Sequence, residues 1–133
     1  LAHELEEEAN NEPVPLPISE IDFSLFPTGR PRVVDYAVKW VPGTIPGHVS
    51  PRRVPADVES GLAERTRAVA VAAWRACGCC GYARVDLRID DAGQPRVLEV
   101  NANPDLSPQS GFRAALAAAG LGFDRFLADL LGV

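Results

Sequence analysis

Asp86, Glu99 and Asn101, with Arg84 close by, are the residues whose types and spacing could do chemistry together. They lie in the stretch RVDLRIDDAGQPRVLEVNANPDLSP, residues 84–108. Val85, Leu87 and Ile89 alternate with Arg84, Asp86 and Arg88, the period of a half-buried strand. Asp90-Asp91-Ala92-Gly93 is a turn-rich cluster, after which residues 96–101 resume in extended style. With Ala92-Gly93 as a two-residue loop, Asp91 pairs with Gln94. Asp86 then stands opposite Glu99 and Arg84 opposite Asn101, and all four polar groups share one face. Val85, Leu87, Ile89, Leu98 and Val100 share the other, which reads as a core face. Two carboxylates directly across a sheet repel each other unless a cation intervenes, either Arg84 or a bound divalent metal. Asp, Glu and an Asn carbonyl are hard oxygen donors that suit Mg²⁺, an ion that keeps positions open for water and phosphate oxygens. An exposed, solvated hairpin face carries such residues too, so spacing alone leaves both readings open.

Taken as a site, the four residues read as a magnesium–nucleotide clamp with Arg84 as the anion contact. Phosphoryl transfer needs such a clamp, because metals neutralise the charge on the transferred phosphate while cations position it. One carboxylate bridging two metals could hold both ends of the transfer.

The elements that must position these residues follow from patterning along the chain. Residues 1–11 are acidic and read as the tail of an upstream element, and Pro13-Val14-Pro15-Leu16-Pro17 as an extended connector. Residues 20–29 read as a short ordered loop and turn, with Phe23 and Phe26 as packing anchors. Residues 32–41 alternate as a strand. Residues 42–55, with four prolines, two glycines and His48, read as a loop. His48 has no recognisable partner as a base and reads as a surface histidine. Residues 56–77 form the longest helix candidate, with Val58, Leu62, Ala63, Val69, Ala70, Ala73 and Trp74 at helical spacing and Gly78 as a stop. Its apolar side should cover the apolar face of the hairpin. Two short helices, 111–119 and 123–131, close the chain. Strands and helices mix without βαβ regularity, which predicts an α+β fold with an antiparallel sheet packed on helices.

At 133 residues the chain has the length of one domain. No apolar run is long enough to span a membrane. The chain begins at Leu1 with no basic signal-peptide start, and reads as a piece of a longer cytoplasmic protein. A net charge of −5 argues against nucleic acid or an anionic membrane as a general partner, although a nucleotide site needs only local positive charge. Cys77, Cys79 and Cys80 do not have zinc spacing, and their odd number and crowding speak against a disulfide framework; they read as small, partly buried residues at a helix end.

The hairpin RVDLRIDDAGQPRVLEVNANPDLSP resembles the metal-binding hairpin of the ATP-grasp superfamily, in particular the D-alanine–D-alanine ligase group, with its R-V-D strand and L-E-V-N strand followed by a Ser/Thr-rich loop. VDYAVKW (34–40) is similar to that group's Y-x-x-K-aromatic strand, Pro55-Ala56-Asp57 to its segment before a helix, and GCCGYA (78–83) to its lead-in. The likeness covers roughly residues 18–133. It implies the C-terminal lobe of an ATP-grasp fold, one domain over 1–133 with 1–17 as linker or tail. It also implies an ATP-dependent carboxylate–amine ligase, acting through an acyl phosphate with ATP and Mg²⁺ (or Mn²⁺), whose partners are a small carboxylate and an amine acceptor. A homodimer of the full-length protein is a compatible assembly.

By position in that family, Asp86 binds one metal, Glu99 bridges both and Asn101 binds the second. Arg84 stabilises the acyl-phosphate oxyanion and Lys39 contacts the transferred phosphate. Asp105, Ser107 and Ser110 fall in the acceptor-binding loop, with Ser110 on the serine that holds an acceptor carboxylate. Two positions depart: Asp105 stands in place of a glycine, and Gly111 in place of a larger apolar residue. A carboxylate at 105 would repel an acceptor carboxylate and attract an amine, which puts D-alanine itself in doubt. The adenine-contacting hinge and phosphate loop of the family precede the region matched, so the fragment alone is expected not to catalyse. Two rival classes are a non-catalytic ATP-grasp-like interaction domain, which predicts replaced metal ligands, and an unrelated divalent-metal module. The latter predicts more acidic ligands nearby, with only Asp90-Asp91 as candidates.

Overall fold

A computed structural model describes residues 12–33 and 51–133. The expected strand at 32–41 lies outside them except for Arg32 and Val33, which are exposed and outside any strand. Lys39 and His48 also lie outside the described residues. Within them the order is β1 (Glu20–Ile21), β2 (Arg52–Arg53), α1 (Ser60–Ala76), β3 (Arg84–Ile89), β4 (Pro95–Asn101), α2 (Gly111–Ala118) and α3 (Phe123–Leu131). The strands form two antiparallel pairs, β1 with β2 and β3 with β4. This is the α+β arrangement predicted from patterning.

α1 begins four residues later than the periodicity suggests. Glu59 stops it from starting earlier: its carboxylate accepts hydrogen bonds from the backbone N–H groups of Gly61 and Leu62, satisfying donors that a helix start leaves orphaned. Ala56 meanwhile donates its N–H to the Ile18 carbonyl at 2.8 Å, which commits residue 56 to the chain segment before β1. Of the predicted apolar positions, Ala63 is buried, Leu62, Val69, Ala70, Ala73 and Trp74 are half-buried and Val58 precedes the helix; Thr66 is buried with them, and the helix packs on β3 and β4. Gly78 just beyond it has φ +62, the stop expected there.

Arg52–Arg53 forms a strand inside a segment whose prolines read as loop. Arg53 pairs with Glu20 and Arg52 with Ile21 in register, and the Arg53 guanidinium forms an ion pair with Asp22. Side chains alternate along a strand, so Arg52 leaves on the opposite side from Arg53.

α2 and α3 are bound to the start of β3 by aromatic side chains. Tyr82 meets Phe112 and Phe126 edge-on at 5.4 and 5.6 Å between ring centroids, and Phe112 lies 5.3 Å from Phe126. Arg113 lies over Phe123 at 3.6 Å. Leu116, 2% exposed, and Ala115 complete this core. Phe23 and Phe26 pack edge-on at 5.2 Å, and Arg88 of the hairpin reaches over Phe23 and donates to the Arg32 carbonyl at 2.5 Å. Both phenylalanines therefore anchor packing, as their types suggest.

Candidate metal and phosphate site

The hairpin loop holds three residues, not two. Asp90 N–H donates to the Gln94 carbonyl at 3.0 Å, and Gly93 N–H donates back to the Asp90 carbonyl at 2.9 Å, leaving Asp91-Ala92-Gly93 as the loop. Gly93 sits at φ +73, the left-handed position such a loop requires. Ile89 then pairs with Pro95, Arg88 with Arg96 and Leu87 with Val97.

Continued unbroken, that register would set Leu98 opposite Asp86 and Val100 opposite Arg84. Glu99 and Asn101 would then point to the opposite face, since a one-residue slip exchanges the faces of a strand. A bulge prevents this. Between Asp86 and Leu87 the register shifts by one, Leu98 is left unpaired, and Asp86 pairs with Glu99, Val85 with Val100 and Arg84 with Asn101. The predicted site register is correct for a reason that simple alternation does not contain: loop and bulge each add one residue, and the two offsets cancel at the site. The correction falls on Leu98 and Ile89, both expected on the core face: Leu98 is 65% exposed as the bulged residue and Ile89 is 43% exposed next to the loop.

Arg84 and Asp86 meet in a two-pronged pair. Arg84 Nε donates to Asp86 Oδ1 at 2.7 Å, and Nη2 donates to Oδ2 at 2.8 Å. The hydrogen bonds to Asp86 hold the Arg84 guanidinium in its charged form, burial opposes this, and the charges of Asp86 and then Glu99 add to it. One guanidinium thus feels both carboxylates, as residues on one face should. Asn101 lies at the end of β4, half-buried, and its Oδ1 accepts from Asn103 N–H at 2.9 Å, which starts the following loop.

Among the described residues no three His, Cys, Asp or Glu side chains are placed to hold a metal. A metal at this hairpin would have two carboxylates and one amide as its side-chain donors. Asp90, the further acid a calcium loop would use, is spent on the turn: its carboxylate accepts from Ala92, Gln94 and Arg96. These bonds, Gln94 first, hold its carboxyl below the ordinary range. Cys77, Cys79 and Cys80 are free thiols, Cys77 and Cys80 exposed and Cys79 half-buried.

The acceptor-loop residues divide. Asp105 is exposed and its oxygens accept from Ser107 N–H at 2.8 Å and Ser107 Oγ at 2.9 Å. These bonds, and further down the charge of Arg52, hold its carboxyl low. Ser107 is thereby engaged with Asp105. Ser110 is buried and caps α2, its Oγ accepting from Arg113 N–H at 3.2 Å, while among the described residues its own hydroxyl proton has no acceptor. Arg52 is the residue that pattern-reading missed. Its Nη1 lies 3.4 Å from the Gln109 carbonyl oxygen, and its guanidinium rests against Gly111.

Residues 11–132 match the family model "D-ala D-ala ligase C-terminus". The chain is 39% identical over 122 residues to a D-alanine–D-alanine ligase of Desulforudis audaxviator, covering 92% of this chain and 36% of that protein. It is 46% identical over 83 residues to the uncharacterized protein y4sG of Sinorhizobium fredii, covering 62% of this chain and 25% of that one. The structure of D-alanine–D-alanine ligase from Bacillus anthracis complexed with ATP superposes with a TM-score of 0.64 at 25% identity, over 88% of this chain and 33% of the other. The chain thus spans about a third of the length of the ligases it resembles. Among the described residues no helix is long and apolar enough to cross a membrane. With the family model spanning nearly its whole length, the chain belongs to the D-ala D-ala ligase C-terminal family, as a C-terminal part of an ATP-grasp domain.

Proposed function

We propose that the full-length protein is an ATP-dependent carboxylate–amine ligase, and that this chain supplies the metal and phosphate half of its site. The observation that carries the reading is the bulged register, which sets Asp86 across from Glu99 with Arg84 beside both. Opposed carboxylates cost a hairpin stability unless cations compensate. One arginine for two carboxylates leaves negative charge to be matched, and the all-oxygen set Asp86, Glu99 and Asn101 fits Mg²⁺ or Mn²⁺. When bound, the metal supplies charge neutralisation at the phosphate oxygens of ATP.

In this reading a substrate carboxylate oxygen attacks the γ-phosphorus of ATP, ADP leaves, and an acyl phosphate forms. The acceptor amine then attacks the acyl carbon, loses a proton, and inorganic phosphate departs. Arg84 steadies the negative oxygens of the acyl phosphate, and Lys39 contacts the transferred phosphate. Ser110 donates its hydroxyl proton to an acceptor carboxylate. Asp105 and Ser107 shape the loop between Asn101 and Ser110. The upstream lobe holds adenine and the carboxylate donor.

The test is ADP release by the full-length protein with ATP and Mg²⁺. Release that requires both a carboxylate and an amine is expected. ATP binding without turnover under any substrate pair would instead identify an interaction domain, and metal binding without ATP binding a simple metal module.

A further inference from the structure

Arg52 has a position that the family resemblance does not account for. β2 directs it away from the Arg53–Asp22 pair and toward the far end of the acceptor loop. A Cβ placed on Gly111 would stand 3.1 Å from both Cζ and Nε of Arg52 and 3.4 Å from Nη1. The space that a side chain at 111 would fill therefore holds the guanidinium. The guanidinium carries five donors, and among the described residues its one hydrogen bond is a long contact to the Gln109 carbonyl. Its neighbour in charge, Asp105, is already bonded twice to Ser107. A cation with donors to spare among the described residues thus stands against Gln109 and Gly111, the two chain neighbours of the buried Ser110.

We propose that Arg52 is a specificity-determining residue for the acceptor: lying in the space left open by Gly111, its guanidinium receives the carboxylate of the incoming amine alongside Ser110. The inference rests on the ligase reading. It tempers the acceptor preference that Asp105 alone would set, because the Asp105 oxygens are held by Ser107 and the positive charge of Arg52 offsets theirs. Acceptors that are amino acids are favoured over amines without a carboxylate.

The experiment is a steady-state comparison of D-alanine with ethylamine as acceptors for the full-length protein, in wild type, R52A, R52K, G111L and the R52A/G111L double variant. Loss of a hydrogen-bonded charge pair corresponds to roughly a 10- to 100-fold change in affinity. R52A should raise the KM for D-alanine by that factor, leave the KM for ATP unchanged and leave ethylamine turnover unaltered. R52K should recover part of the loss. G111L keeps Arg52 but forces the flexible guanidinium out of its place, so it should reproduce the R52A effect. The double variant should be no worse than R52A, since the two changes remove one placement. Thermal midpoints close to wild type exclude unfolding as the cause. Multiplying effects, an R52A effect on ATP as large as on the acceptor, or a D-alanine KM indifferent to R52A and G111L overturns the inference. A wild-type protein that releases no ADP with any acceptor defeats the ligase reading and the inference with it.

Discussion

Arg84 and Asp86, two residues apart on one face of β3, are joined fork to fork, at 2.7 and 2.8 Å. An arginine and the carboxylate beside it thereby fix each other before any substrate arrives, which is what preorganisation of a charged site requires. Each Asp86 oxygen keeps a lone pair free in this pairing, so holding a cation does not demand breaking it.

Replacing Arg84 by Lys tests that geometry. Lysine preserves the charge but cannot present two parallel N–H groups. In the full-length protein, Arg84→Lys should lower the turnover of ADP release by about 10²–10³-fold, the usual scale for losing an electrostatic contact to developing charge. The thermal midpoint should hardly move, because a half-exposed ion pair adds little stability. Wild-type turnover in this variant removes the guanidinium fork from the machinery.

Glu99 is the carboxylate that the bulge brings across from Asp86. Glu99→Gln keeps the shape and the strand pairing while removing one negative charge. Turnover should fall by roughly 10²–10³-fold with the fold intact, and Mg²⁺ affinity measured by titration should weaken. Glu99 is exposed and the carboxylates repel across the ladder, so stability should hold or rise slightly. ADP release at the wild-type rate would falsify the role of Glu99.

Much of this architecture was legible because it is local. The bounds of α2 and α3 follow from apolar spacing and flanking glycines, and the face of α1 from its periodicity. The start of α1 was misjudged because its cap is a glutamate, a residue type that does not usually mark a helix start. β1 and β2 were missed because two-residue strands have no periodicity to read and depend on a partner some thirty positions away. The hairpin is more instructive. Of its two departures from the simplest ladder, the longer loop leaves no mark in the alternation and the bulge shows only as the apolar doublet Val97-Leu98, yet they compensate at Asp86 and Glu99. Arg52 was unreadable for the opposite reason, since nothing near it in sequence hints that Gly111 leaves room for it.

Acid should loosen the first turn of α1. The carboxyl of Glu59 is held below its ordinary 4.5, first by the Gly61 N–H and then by that of Leu62. A group with a depressed folded pKa contributes stability above its unfolded value and loses it as pH falls through the folded one. Amide-exchange protection at Gly61 and Leu62 should therefore be constant at neutral pH and decline once pH drops below that range. Glu59→Gln should abolish this pH dependence. A decline that persists in Glu59→Gln assigns it to another carboxylate.

Ser110 has two roles that one substitution cannot separate, and two can. Its Oγ accepts from Arg113 N–H to cap α2, while the ligase reading gives its hydroxyl proton to the acceptor. Alanine removes both functions. Glycine also removes the hydroxyl, but as a helix cap it costs only a few tenths of a kcal/mol against about 1 kcal/mol for alanine. If Ser110 only caps the helix, activity should follow stability, with Ser110→Gly close to wild type and Ser110→Ala impaired. If the hydroxyl meets the acceptor, both variants should raise the acceptor KM alike, by roughly tenfold for one lost hydrogen bond, while their thermal midpoints differ. The second pattern is expected, because Ser110 is buried, Arg52 lies against its neighbour Gly111, and among the described residues the hydroxyl proton has no acceptor. Acceptor KM values that rank with the thermal midpoints would leave Ser110 as a cap alone.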